Sequence, residues 1–211
     1  SLGVLEAPAN YGATICVGDL HGLGLHLNFG GGQAGFIASH DDMRYITEFK
    51  ELVDGMVETT VPGEQGYSVV LIERTHYAMR ENGKEFTGTQ NNLWTAPVAV
   101  YLSLMGPKGM EEIGHTIMTN AKYAAKKLAG IPGVSLRFPS VFFKEFVVNF
   151  DKTGKTVEEI NQLLLSRQIF GGVDLSRDYP ELGQSALYCV TETADKESID
   201  RLAGALQAIL N

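Results

Sequence analysis

Cysteine, tryptophan and positive charge are all scarce in this chain of 211 residues. Cys16 and Cys189 are the only cysteines, and both lie in apolar, strand-like runs. They read as buried thiols of a reducing compartment, because two such residues build neither a disulfide framework nor a zinc site. No spacing of His, Cys or carboxylates suggests another metal. Lys and Arg total 17 against 25 acidic residues, for a net charge of −8. A nucleic-acid backbone therefore has no basic face to bind. No run of 18 apolar residues occurs, which argues against a membrane-spanning helix. A basic leader followed by an apolar stretch is also lacking, so the opening SLGVLEAPANYG is not a signal peptide. The glycines of Gly18–Gly24 do not form an intact G-x-G-x-x-G, so a dinucleotide fold is not supported. What remains, 44% hydrophobic and 20% charged residues, is the composition of an ordinary globular protein, expected in the cytoplasm.

The pattern along the chain predicts short strands at Thr14–Gly18, Ala34–Ser39 and Tyr67–Ile72. Between the first two lies a glycine-dense loop that ends in Gly30-Gly31-Gly32-Gln33-Ala34-Gly35. Asp41 and Asp42 favour a helix start, and 54–66 reads as polar turn. Short apolar strands of this kind suggest a parallel or mixed α/β sheet. A long helical stretch follows, with Pro97 in its first turn and Asn91 or Asn92 as cap. Gly106-Pro107 interrupts it. Met110, Ile113, Ile117, Ala121, Ala124 and Leu128 then line one face, with Lys122, Lys126 and Lys127 on the other. Beyond Gly130-Ile131-Pro132-Gly133 come strand, helix, strand, helix. The elements are Val141–Phe150, a helix opened by the Thr156/Glu159 capping box, Ala186–Thr191, and a final helix capped by Asp195. This is an α+β unit of roughly 80 residues, a plausible small domain. The first residues read as a chain entered in the middle of an α/β fold, so the stretch is expected to be part of a longer protein and inactive alone.

Three segments carry a family resemblance: GATICVGDLHGLGLHLNFGGGQAGFIAS, FTGTQNNLWTAPVAVYLSLMGPKGMEEI and SRQIFGGVDLSRDYPELGQSALYCVTET. The first resembles the stretch around the cofactor lysine of fold-type I pyridoxal-phosphate (PLP) enzymes. Together they resemble the C-terminal half of the glycine-cleavage P-protein family, glycine decarboxylase, in its split, two-subunit form. The resemblance implies the C-terminal part of a PLP-transferase large-domain sheet over 1–92, linking helices over 93–130, and a small α+β domain over 131–211. It also implies chemistry: glycine loses CO2 on PLP, and the aminomethyl group passes to the lipoyl disulfide of H-protein. The implied partners are glycine decarboxylase subunit 2, glycine and, transiently, lipoylated H-protein.

One position departs from the family. Its catalytic subunit carries an L-H-K triplet whose lysine holds PLP, whereas here the triplet is Leu20-His21-Gly22. Glycine has no amine and forms no covalent link to the cofactor. None of the ten lysines is an evident replacement, so this chain is expected to complete the site of a lysine-bearing subunit. The alternative is a scaffold or regulatory paralogue that only stabilises its partner.

The remaining candidates each have a plain reading beside the functional one. Gly88, Thr89 and Gln90 resemble a loop that reaches a partner's PLP phosphate, and a hydroxyl with loop amides before a helix suits a phosphate. Thr89 or Asn91 as an ordinary helix cap explains the same residues. His21 is a candidate cofactor contact; without the neighbouring amine, a satisfied histidine is the simpler reading, and His26 is weaker still. Arg177 could fix a substrate carboxylate with its planar fork, although an ion pair with Asp174, Asp178 or Glu181 would account for it. Arg74, His76 and Arg80 could line the mouth of a site or form a polar surface. Trp94 reads as interface or core.

Overall fold

The structure, a computed structural model, describes residues 1–25, 33–50, 52–76, 78–84 and 91–210. The chain divides into two compact units, Glu6–Gly106 and Pro107–Asn211 with Ser1–Leu5.

In the Glu6–Gly106 unit, strands β1 (Ile15–Asp19) and β2 (Gly35–Ser39) pair antiparallel, with Val17 opposite Ile37. Helix α1 (Met43–Ile46) follows. Its N-cap is Asp42, whose side chain accepts the Arg44 N–H, as the paired aspartates predicted. Strands β3 (Val53–Glu58) and β4 (Gln65–Val70) form a second antiparallel pair, with Met56 opposite Tyr67. Two expectations are corrected here. Among the described residues every strand pairing is antiparallel, so of the parallel or mixed sheet that the apolar runs suggested, no parallel pairing is seen among them. The 54–66 stretch is also mostly strand. In β3 the half-buried positions are Val53, Gly55 and Val57; a glycine in the inward series and Asp54 and Glu58 outside it hid the period of two.

Helix α2 (Thr95–Ala129) is interrupted at Gly106, with φ 59° and ψ −180°. Only glycine adopts that conformation readily, and Pro107 restarts the helix without needing an N–H partner. Asn91 makes no side-chain cap to the 3-10 turn Asn92–Trp94 that leads in.

In the other unit, β5 (Ser135–Leu136), β6 (Glu145–Asn149), β7 (Val173–Asp174) and β8 (Ser185–Cys189) form one antiparallel sheet in the order β5-β6-β8-β7. Helices α3 (Val157–Leu165) and α4 (Lys196–Leu210) complete it. Its core joins Ala121, Leu128, Val148, Phe150, Ile160 and Leu206, among others. Each large apolar side chain sealed there contributes about 1.5–3 kcal/mol. The capping box forms as expected: Thr156 Oγ1 accepts the Glu159 N–H at 3.2 Å and Glu159 accepts the Thr156 N–H at 2.8 Å. Asp195 accepts the Ser198 N–H at 2.8 Å. Cys189 is exposed, against expectation, because β8 places it outward at the strand's end.

Several carboxylates of this unit are held below their usual range. For Asp151 the first cause is the Gln184 N–H, for Glu159 the Thr156 N–H, and for Asp195 the hydrogen bonds to Ser198. A carboxylate whose folded pKa is depressed stabilises the fold above its unfolded pKa and loses that contribution as pH falls through the folded value. The unit is thus expected to hold constant stability at neutral pH and to lose it on acidification below the ordinary carboxylate range. An acid titration followed by circular dichroism checks this; stability that rises toward pH 3 would contradict it.

Candidate functional site

The Asp19–Leu25 segment is a tight turn. The His21 N–H donates to Asp19 Oδ1 at 2.9 Å, and the Leu23 N–H to the Leu20 carbonyl at 3.0 Å. The Leu20 N–H reaches the Ala34 carbonyl at 2.8 Å, which ties the turn to the approach of β2. Leu20, Leu23 and Leu25 are buried and anchor it. Gly24 sits at φ +85° with its Cα against the Tyr101 ring, a close approach that a side chain would block. His21 is half-buried and Gly22 is exposed. A Cβ built at Gly22 meets nothing within 4 Å. The backbone therefore leaves room for a lysine at the very position where this chain has none.

Covalent attachment of PLP needs a lysine whose amine loses its proton easily, and a desolvated site supplies that. All ten lysines are among the described residues and none is buried. Lys84 Nζ is held by Glu48 at 2.7 and 2.8 Å. Lys127 Nζ lies 2.9 Å from Asp200 Oδ1, and Lys196 bonds to the same carboxylate. Hydrogen bonds to Asp200 push both Lys127 and Lys196 above the ordinary lysine pKa. These shifts favour the ammonium and oppose nucleophilic use. None of the ten lysines thus sits in the kind of desolvated site that lowers an amine's pKa.

Sequence reasoning missed the cluster around Asp200. Its carboxylate accepts the Tyr123 hydroxyl at 2.6 Å as well as the two ammonium groups. Lys196 first, then Tyr123 and Lys127, hold its pKa well below the usual range. The cluster borders an open cavity of about 550 Å³ lined also by Lys126, Gly130 and Gly204. Lys196 and Asp200, four apart on α4, were legible as a helical pair. Tyr123 lies 77 positions away and was not.

Arg177 is exposed, and no salt bridge among the described residues includes it. The Asp174 carboxylate instead accepts the Ser176 N–H at 2.8 Å, so the ion pair with Asp174 does not form and the guanidinium stays at the surface. Arg74 is buried at 8% exposure and its carbonyl accepts the Lys84 N–H at 3.0 Å. That corrects its reading as part of a polar surface, whereas His76 and Arg80 are exposed. Trp94 is half-buried. Gly88, Thr89 and Gln90 lie outside the described residues, as do His26 and Gly30–Gly32. Among the described residues no group of His, Cys, Asp and Glu is placed to hold a metal, and no helix is long and apolar enough to cross a membrane.

Residues 1–206 match the family described as glycine cleavage system P-protein. The chain is 37% identical over 209 residues to the probable glycine dehydrogenase (decarboxylating) subunit 1 of Desulfitobacterium hafniense; the match covers 99% of this chain and 46% of that protein. It is similar to a crystal structure of glycine decarboxylase (P-protein) of the glycine cleavage system in inhibitor-bound form. That likeness has a TM-score of 0.81 and 30% identity, over 99% of this chain and 46% of the other. A C-DES mutant with glycine covalently linked to its PLP cofactor shares the fold at a TM-score of 0.52 and 18% identity, over 83% of this chain and 41% of the other. The chain thus spans a little less than half the length of the relative it matches.

Proposed function

The chain belongs to the glycine cleavage system P-protein family, and from that premise we propose that it is the part of a two-subunit glycine decarboxylase that does not hold the cofactor. A lysine-bearing companion subunit would carry PLP and, with this chain, release CO2 from glycine and pass the aminomethyl group to lipoylated H-protein. The fold is α/β, that of PLP-dependent enzymes of fold type I. When bound, PLP supplies an electron sink for the bond that breaks. The observation that carries the reading is Gly22, open and without an amine, together with ten lysines that are all outside the core.

What this chain would add is binding. Gly88, Thr89 and Gln90 stand a few residues before α2 in the sequence, and hydroxyl and amide donors before a helix N-terminus suit a phosphate dianion. Arg177, exposed and without an ion pair among the described residues, would serve a carboxylate with its bidentate fork. The half-buried His21 would flank the cofactor ring. The work would take place in the cytoplasm, consistent with two free cysteines.

Reconstitution with the companion subunit tests this reading. Glycine-dependent CO2 exchange should require both chains. Thr89→Ala should weaken PLP retention about 10- to 100-fold, the loss expected for one hydrogen bond to a charged group. Full activity of the companion alone would reduce this chain to a scaffold, and unchanged cofactor affinity would remove Thr89 from the site.

A further inference from the structure

The cavity beside Asp200 lies wholly within the unit that holds Pro107–Asn211, between the end of α2 and α4. Its volume of about 550 Å³ falls within the range of small-molecule sites, roughly 300–1,000 Å³. None of its residues is among those assigned to the cofactor. Three features of its wall run against local helix preference. Lys196 is the first residue of α4, where the helix dipole disfavours a cation. Gly204 falls in the middle of the same helix, where alanine would be more stable. A Cβ there meets nothing within 4 Å, so no neighbour in the chain requires the glycine. Lys126 stands four residues after Lys122 on α2, a like-charged spacing that weakens a helix, and no salt bridge among the described residues includes it.

The three features meet at one open space. Asp200 is already engaged by Lys127, Lys196 and the Tyr123 hydroxyl, so it holds two ammonium groups in place and leaves Lys126 unneutralised. Three ammonium groups against one carboxylate give this wall a charge of +2, in a chain whose net charge is −8. Ile131, Ala203 and the bare Gly204 supply an apolar floor beside the charge. We propose that the cavity binds a small organic dianion, its charge on Lys126 and Lys127 and its body on Ile131 and Gly204. Compact ammonium charges suit a dicarboxylate or a phosphate monoester, and the dianion is the chemistry the two share. Lysines held as ammonium groups bind such a ligand without reacting with it.

Isothermal titration of the chain tests this with phthalate as the dicarboxylate, phenyl phosphate as the phosphate monoester, and benzoate as a monoanion of similar shape. At least one dianion should bind one-to-one with a Kd below about 1 mM, and at least about tenfold more tightly than benzoate, the difference expected for one more charged contact. Whichever dianion binds identifies the source of the charge. Lys126→Ala should weaken binding at least about tenfold. Gly204→Leu should abolish it by filling the floor, with a melting temperature unchanged or raised, because leucine is the better helix former. Thr89→Ala should leave it unchanged, which keeps this site distinguishable from the cofactor loop. Four results would overturn the proposal: saturation by neither dianion, benzoate binding as tightly as both, Lys122→Ala weakening binding as much as Lys126→Ala, or loss with Thr89→Ala while Lys126→Ala has no effect.

Discussion

Phe150→Ala should lower the stability of the unit that holds Pro107–Asn211 by about 3–5 kcal/mol, the usual cost of emptying a large buried aromatic site. The ring is 0% exposed and is the largest of the fully buried side chains. It sits just past β6, where its N–H donates to the Gln184 carbonyl at 2.7 Å, and it packs into the core shared by α2, α3, α4 and the sheet. The surrounding elements are pinned by strand pairing and by the capping box, so collapse around the void will be partial. Since small domains are stable by only about 5–15 kcal/mol, most of the margin would go. Denaturant unfolding followed by circular dichroism measures the change. A loss under about 1 kcal/mol would mean the core is not closed at this point.

Gly183→Ala should have the second largest effect, about 2–4 kcal/mol, from backbone strain and the loss of the Asp151 hydrogen bonds together. Gly183 has φ 66° and ψ −149°, a region that residues with a side chain scarcely enter. A Cβ there would lie 2.5 Å from both carboxylate oxygens of Asp151. Those oxygens accept the Gln184 N–H at 2.7 Å and the Asn149 Nδ2 donor at 2.8 Å. Asn149 Nδ2 also reaches Ser185 Oγ at 3.1 Å, and both Asn149 and Ser185 are buried. Displacing Asp151 takes the acceptor from the Gln184 N–H and from one Asn149 Nδ2 hydrogen. An Asp151→Gly, Gly183→Ala double variant separates the two causes: it removes the clash and keeps the backbone strain. If Gly183→Ala alone unfolds at the denaturant concentration of the parent, neither cause operates.

What was legible in the sequence was what local chemistry decides. The Thr156–Glu159 box, the Asp42 and Asp195 caps, the Gly106–Pro107 break and the lysine-bearing outer face of α2 all depend on residues within one or two turns of each other. The strand expected at Tyr67–Ile72 overlaps β4, but its partner β3 was not legible, because Gly55 interrupts the apolar alternation and Met56 lies on an exposed position. The exposure of Cys189 depends on where β8 ends, and the burial of Arg74 on packing around a short 3-10 turn; neither is a local property. The site divides in the same way. The missing amine at Gly22 is a matter of residue identity and could be read directly. The distance from Tyr123 to Asp200 is a tertiary fact, set by the packing of α2 against α4. The apolar runs of β1 and β2 suggested a parallel or mixed sheet, whereas the direction in which these two strands pair, antiparallel, depends on the chain between them.

The central claim is that this polypeptide offers PLP no covalent anchor, and reductive trapping tests it most directly. The protein alone, incubated with PLP, reduced with borohydride and mapped by peptide mass, should show no lysine modified near one equivalent and no imine absorbance before reduction. A single lysine labelled stoichiometrically, with the matching absorbance, would contradict the account.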